Sequence, residues 1–390
     1  MKAMKIKKIA MALCAALLCA PILPIHAGED ATQTADILDS EHAVVYDIDT
    51  KQYLLDKGSD EKMFPASLTK IMTAMVVFDQ SPDLSEKVTI DDKMLAGLYE
   101  ANASVVGWSV GETPTVEDLL YGTLLPSGAD AVNALAYTFA NSISDFVDKM
   151  NKKAQEYGMT NTHFSNPTGL HEEDHYSTCK DIVKLMEHAL QNETFVKIFS
   201  QKTYTDSTGR VMEATIMPYI TTEDISLPGF VGDKTGYTLE SGHSMASYCE
   251  MNGMRLIVVT NHAMTDMYVP SHLYDTSKIL TWLNDNYTRT TVMQAGDILD
   301  TFTAEEPVGS KEVNVKADTS LDLDIRTGED ITFHTNVPNT VDVKNKKQAM
   351  RAEISILADG EEISVTSTSY TIPKSDDIFN MFLIFLRDLF

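Results

Sequence analysis

Positive charge is in short supply along this 390-residue chain: 31 lysines and arginines face 57 acids, for a formal net charge of −26. So acidic a surface repels phosphate backbones and anionic headgroups at long range, which excludes nucleic acid as a partner. Cysteine is scarcer still, at four residues. Cys14 and Cys19 fall in a leader-like N-terminus, so only Cys179 and Cys249 remain and no disulfide framework holds the fold; sequence leaves open whether those two pair. The ten histidines form no His-Glu-x-x-His string. His171 and His175 sit in a Gly- and Pro-flanked stretch without helical character, so neither a metal nor a cofactor is expected. No serine occupies a Gly-x-Ser-x-Gly elbow.

What is present begins with Lys2, Lys5, Lys7 and Lys8 ahead of an apolar run from Ile9 to about Leu23, closed by Pro24 and the small residues Ala27 and Gly28. Residues 1–27 therefore read as a secretory signal, too short for a comfortable membrane span, with an uncleaved anchor as the alternative. The expected location is the extracytoplasmic envelope. Without those four lysines the charge is about −30.

Segments 43–47 and 52–55 read as a hairpin of strands, and 244–250 and 254–260 as two more around Met251-Asn252-Gly253. Between them, helical periodicity marks a stretch starting at Pro65-Ala66 and the spans 116–124, 130–140, 143–157 and 181–191. Strands at both ends with helices between give an α/β (α+β) domain over 36–285, its ends meeting in one antiparallel sheet. From Val292 short alternating strands predict a small all-β domain over 292–375. The tail, 378–390, is strongly apolar. It reads as an amphipathic helix lying on a membrane surface with Asn380, Arg387 and Asp388 toward water, or as an element docked on the protein itself.

Three short strings carry chemistry: Ser67-Leu68-Thr69-Lys70, Ser127-Gly128-Ala129 and Lys234-Thr235-Gly236. Singly they mean little; their order and spacing carry the weight. A serine hydroxyl needs its proton removed, and Lys70, one turn along, is placed to take it if neutral. Bringing a lysine from about 10.4 to near neutrality is worth roughly 4 kcal/mol, and burial plus a second cation, Lys234, push that way. The N–H groups of Ser67 and Tyr237 would meet the developing oxyanion, while Gly236 lets substrate approach the strand. Lys234 and Thr235 suit a terminal carboxylate, which favours an exo-acting enzyme. Ser127 would relay a proton to the leaving amine.

The flanks resemble one family. Pro65-Ala66-Ser67-Leu68-Thr69-Lys70-Ile71-Met72-Thr73-Ala74, Thr115 to Gly122 leading into Leu124-Leu125-Pro126-Ser127-Gly128, His163 to Leu170 and His175-Tyr176-Ser177-Thr178 are similar to segments of the D-alanyl-D-alanine carboxypeptidases, the low-molecular-mass penicillin-binding proteins. The likeness extends over 36–285. It implies Ser67 as nucleophile, Lys70 as base, Ser127 in proton relay, and Lys234 with Thr235 on the substrate carboxylate. It also implies peptidoglycan stem peptides as substrate, β-lactams as acylating ligands and a C-terminal membrane contact. One position departs: the family's second motif generally ends in asparagine, and here Ala129 stands, followed by Asp130. Asp130 or Asn133 could substitute for the missing amide, or the site is slower or differently selective.

Two other readings compete. A class A-like β-lactamase would need a carboxylate for deacylation in a Glu-x-x-Leu-Asn context, which is missing. A non-catalytic penicillin-sensing wall protein would not need Ser67, Lys70 and Lys234 intact.

Overall fold

The computed structural model describes residues 29–389 apart from 223–224, 264–268 and 345. The leader, with Cys14 and Cys19, lies outside the described residues.

Strands β1 (Ser40–Asp47) and β2 (Tyr53–Lys57) form the first hairpin. Helix α1 (Glu29–Asp36) precedes the hairpin, and a helical region follows it: α2 (Thr69–Phe78), α3 (Asp92–Leu95), α4 (Val116–Leu124), α5 (Ala129–Phe139), α6 (Ile143–Glu156), α7 (Cys179–Ala189) and α8 (Glu193–Phe199). A small ribbon, β3 (Thr203–Thr205) with β4 (Val211–Glu213), and helix α9 (Met217–Thr222) lead to β5 (Phe230–Thr238), β6 (Gly242–Met251) and β7 (Met254–Ala263). The central sheet runs β2-β1-β7-β6-β5, antiparallel throughout, so β1 pairs with β7 and β5 is an edge.

Side chains alternate across this sheet as the two-residue strand period requires. Val44, Tyr46, Ile257 and Val259 join the large core under α2, α4, α5, α6 and α7. Ala43, Val45, Leu256 and Val258 face the opposite side, against Ile279, Leu280 and Leu283 of α10 (Ser271–Asn286). Cys179 lies in the first core and Cys249 in the second, both buried free thiols, so the sheet separates them.

Helix α10 runs straight into β8 (Tyr287–Met293), five residues before the change in texture at Val292. Then come β9 (Ile298–Glu305), β10 (Ser310–Lys316), β11 (Leu321–Arg326), β12 (Ile331–Thr335), β13 (Thr340–Asp342), β14 (Gln348–Ala358) and β15 (Glu361–Ile372). They make two three-stranded sheets, β10-β9-β13 and β12-β14-β15, and the ribbon β11-β8. The chain is thus an antiparallel sheet with helices followed by all-β structure.

The junction is ionic. Arg289 of β8 binds Asp47 of β1 through Nη2 (2.6 Å), Asp49 through Nη1 (3.2 Å) and Asp324 of β11 through Nε (2.6 Å). The Asp47 and Asp324 carboxylates are fully buried. Thr50 Oγ1 also donates to Asp324 (2.9 Å).

Helix α11 (Ile378–Leu389) corrects one expectation. Asn380, expected toward water, is buried: its amide donates to Glu306 and to Val308 O, and Arg387 donates to Val343 O. Ile384 joins the β core on the same face. The polar stripe has docking partners on the β sheets, so Ile378, Phe379, Phe382, Phe385 and Leu389 are left exposed.

Candidate active site

Ser67 sits in a short 3-10 turn, Ala66–Leu68, that feeds α2, so the nucleophile segment and the helix that carries Lys70 are continuous. Pro65 supplies a fixed φ of −75° at the entry. Leu68, Ile71 and Met72 are fully buried and anchor the segment in the core. Lys70 Nζ lies 2.8 Å from Ser67 Oγ and donates to Thr168 O at 2.7 Å. The Lys70 side chain is buried, and burial first, then the charge of Lys234, hold its ammonium well below the usual lysine range; Asp130 pulls the other way.

Lys234 reaches this place from β5. It is 1% exposed, and Nζ donates to Thr235 O at 2.8 Å. Burial brings it down to about 8 against the opposing pull of Asp233 beside it. Thr235 Oγ1 pairs with Thr215 Oγ1 at 2.5 Å. Gly236 is a close approach: a Cβ there would lie 3.1 Å from both Pro65 O and Ser67 N, so the strand and the nucleophile turn touch through bare backbone. Tyr237, next along, is partly exposed and packs on His243, which stacks on His272.

The roof over Lys70 is the turn 166–170. Thr73 Oγ1 donates to Pro167 O (2.7 Å), and Asn166 Oδ1 accepts from the N–H groups of Thr168 (3.1 Å) and Gly169 (2.8 Å). Gly169 has φ +82°, and a Cβ there would meet Ala66 O at 1.9 Å; only glycine fits. Carbonyls face Lys70 from this turn. Among the described residues no carboxylate hydrogen-bonds Ser67 or Lys70. His175 braces the roof from below: Ser165 N–H donates to its Nδ1 (3.1 Å), so Nε2 carries the proton and donates to Thr69 Oγ1 (2.7 Å). Burial keeps this imidazole down at about 4, hence neutral. His171 lies outside that brace, edge-on to Phe64.

Ser127 ends the turn into α5 with φ +64°, and its buried Oγ has no hydrogen-bond partner among the described residues. Neither expected substitute for the missing asparagine amide is available. The Asp130 carboxylate is taken by backbone N–H groups of 106–108 and 131, and the Asn133 amide donates to Met94 O at 3.0 Å. Thr168 and Thr215 went unread as site residues: one acts through its main chain, and the other sits in no motif.

A family model described as peptidase S11, D-alanyl-D-alanine carboxypeptidase, matches residues 29–265. The chain belongs to this family. It is 35% identical over 243 residues to the D-alanyl-D-alanine carboxypeptidase DacF of Bacillus subtilis, covering 61% of each chain. It is 30% identical over 263 residues to the carboxypeptidase DacA of Haemophilus influenzae, covering 65% of this chain and 64% of that one. The chain thus matches less than two thirds of either relative's length. A Streptomyces DD-transpeptidase structure superposes with a TM-score of 0.57 at 31% identity, over 63% of this chain and 97% of that one. Penicillin binding protein 5 from Haemophilus influenzae superposes with a TM-score of 0.67 over 87% of this chain and 98% of its own, at 23% identity, and shares the fold.

Proposed function

We propose that the chain is a serine-type D-Ala-D-Ala carboxypeptidase that removes the terminal D-alanine from peptidoglycan stem peptides through an acyl-enzyme on Ser67, and that penicillins acylate the same oxygen. The observation that carries this reading is the 2.8 Å contact between Ser67 Oγ and a buried Lys70. Neutral Lys70 takes the hydroxyl proton as Oγ attacks the penultimate carbonyl. The N–H groups of Ser67 and Tyr237 hold the oxyanion, and Lys234 with Thr235 holds the substrate's free carboxylate. Ser127 passes the proton to the leaving D-alanine amine, and water then releases the shortened peptide. The acyl-transfer unit ends with α10, and a β unit begins with β8.

Mass spectrometry on the purified protein with a diacetylated tripeptide ending in D-Ala-D-Ala checks this: release of one D-alanine is expected, along with a penicillin adduct on Ser67. The carbonyl that the roof presents to Lys70 speaks against the β-lactamase alternative: among the described residues no carboxylate hydrogen-bonds Ser67 or Lys70, and the Glu172 carboxylate beside the roof is bound to the Asn166 amide. The adduct should therefore be long-lived; rapid turnover of penicillin would reverse that assignment.

We also propose an exported protein whose α11 rests on the outer face of the plasma membrane. No described helix is long and apolar enough to cross a membrane. The outward Ile378, Phe379, Phe382, Phe385 and Leu389 form an apolar face whose burial needs no basic residues. Replacing Phe382 and Phe385 with serine should lower co-sedimentation with phosphatidylcholine vesicles at least about tenfold. Unchanged sedimentation would remove the helix from that role.

A further inference from the structure

A second motif without its asparagine still has to hold Ser127 in a left-handed turn, and the structure shows what does so. The Asp130 side chain, 1% exposed in the first turn of α5, caps a short strap of chain. Its Oδ1 accepts from Val106 N–H at 2.9 Å and from Ala131 N–H at 2.9 Å. Its Oδ2 accepts from Gly107 N–H at 2.8 Å and Trp108 N–H at 3.3 Å. One residue earlier the strap is tied a second time, by Ala129 N–H donating to Ser104 O at 2.7 Å. The Val106 side chain lies so close over the turn that a Cβ on Gly128 would meet its Cγ2 at 2.5 Å. Residues 104–108 thus lie across the segment 128–130, fastened through Ala129 and Asp130 just after Ser127. Behind the strap, toward Leu95, Leu98 and Tyr99, is a cavity of about 260 Å³, while Trp108 anchors the far end of the strap in the core.

We infer that Asp130 is a positioning residue for acyl transfer, holding the strap 104–108 over the second motif so that Ser127 keeps its place at the cleft in the absence of an asparagine side chain. The inference rests on the reading of function given above. Asp130 has a second effect, because its charge reaches Lys70. The charged and titratable groups that face Lys70 are Lys234 from β5, Asp130 from α5 and His175 from the loop before α7. Of these, Asp130 alone favours the ammonium. Replacing it with asparagine leaves the volume and removes the charge, and turns an N–H₂ toward donors that need an acceptor.

The test is the rate of penicillin acylation of Ser67 as a function of pH, in Asp130→Asn, Ser127→Ala and the double variant. Asp130→Asn is expected to acylate about 100-fold more slowly, the loss that a displacement of about 1 Å brings. Its acid limb should move to lower pH, which a purely structural lesion would not produce. At pH values where Lys70 is already neutral, the same substitution should cost less than about threefold in the Ser127→Ala background, because there both changes act through one hydroxyl. If Asp130→Asn does not fold, Val106→Ala loosens the strap with every backbone N–H and the Asp130 charge intact. It should slow acylation with the pH profile in place, and show the same dependence on Ser127. Wild-type rates in Asp130→Asn or Val106→Ala, or an undiminished cost in the Ser127→Ala background, would overturn the inference. A wild-type chain that takes no label on Ser67 would overturn the function on which it rests.

Discussion

Lys70→Ala will slow acylation of Ser67 by penicillin about a thousandfold, the middle of the range for loss of a general base. Lys70 Nζ lies 2.8 Å from the oxygen it serves, and Thr168 O holds it there, so the variant loses both the base and its aim. The effect depends on pH with a definite sign. Lys70 works only when neutral, and burial together with Lys234 keeps its ammonium well below the usual range. Wild-type acylation therefore rises with pH through a range well below that of an ordinary lysine; the alanine variant lacks this limb. In the proposed mechanism Lys234 works in the opposite sense, since it must stay charged to hold a carboxylate. With its ammonium brought down to about 8, peptide turnover should decline above that pH while the base remains ready. Stopped-flow acylation and D-alanine release across pH check both limbs. A Lys70→Ala rate within tenfold of wild type would remove Lys70 from its role.

Arg289→Ala should produce the largest loss of stability, about 3–5 kcal/mol, because it strips the partner from two carboxylates with no exposed surface. Asp47 retains the N–H groups of Asp49, Thr50 and Arg255, while Asp324 keeps the Thr50 hydroxyl. Neither replaces a guanidinium. Burial holds Asp324 up at about 6 even with Arg289 pulling it down. Loss of the arginine lifts it further. A carboxyl raised in the folded chain above its unfolded value near 3.9 binds more protons when folded, so stability falls as pH rises through that window. The variant's deficit should therefore be greatest above pH 6 and shrink toward pH 4. Urea unfolding at the two ends of the range measures it; a deficit under about 1 kcal/mol at neutral pH would show the junction to be surface-like.

The parts of this molecule written in local chemistry were legible in its sequence. Helix α4 occupies the span its periodicity marks, since Thr115 and Asp118 close a capping box at its start and fix the boundary within one turn. The Ser67–Lys70 pair followed from Pro65 and a helical apolar spacing. What stayed hidden depends on main chain or on distant packing. Thr168 contributes a carbonyl, which every residue type has. Thr215 meets Thr235 only because β4 ends beside β5. Asp130 looked available for the cleft because sequence does not show that the backbone of 106–108 comes down on it. In α11 the two faces were readable, but not which one the β sheets would take: polar Asn380 found acceptors, and the phenylalanines were left outside.

The pairing of β1 with β7 joins chain positions more than two hundred residues apart. A sheet closed in that way cannot assemble until synthesis has passed its last strand, because β6 meets β1 only through β7. Contacts of such long range make for slow folding, since loop-closure entropy is lost before they can form. The chain is consequently without its central sheet until residue 263 has been made. Its serine becomes reactive late, once β1 and β7 lie in the same sheet.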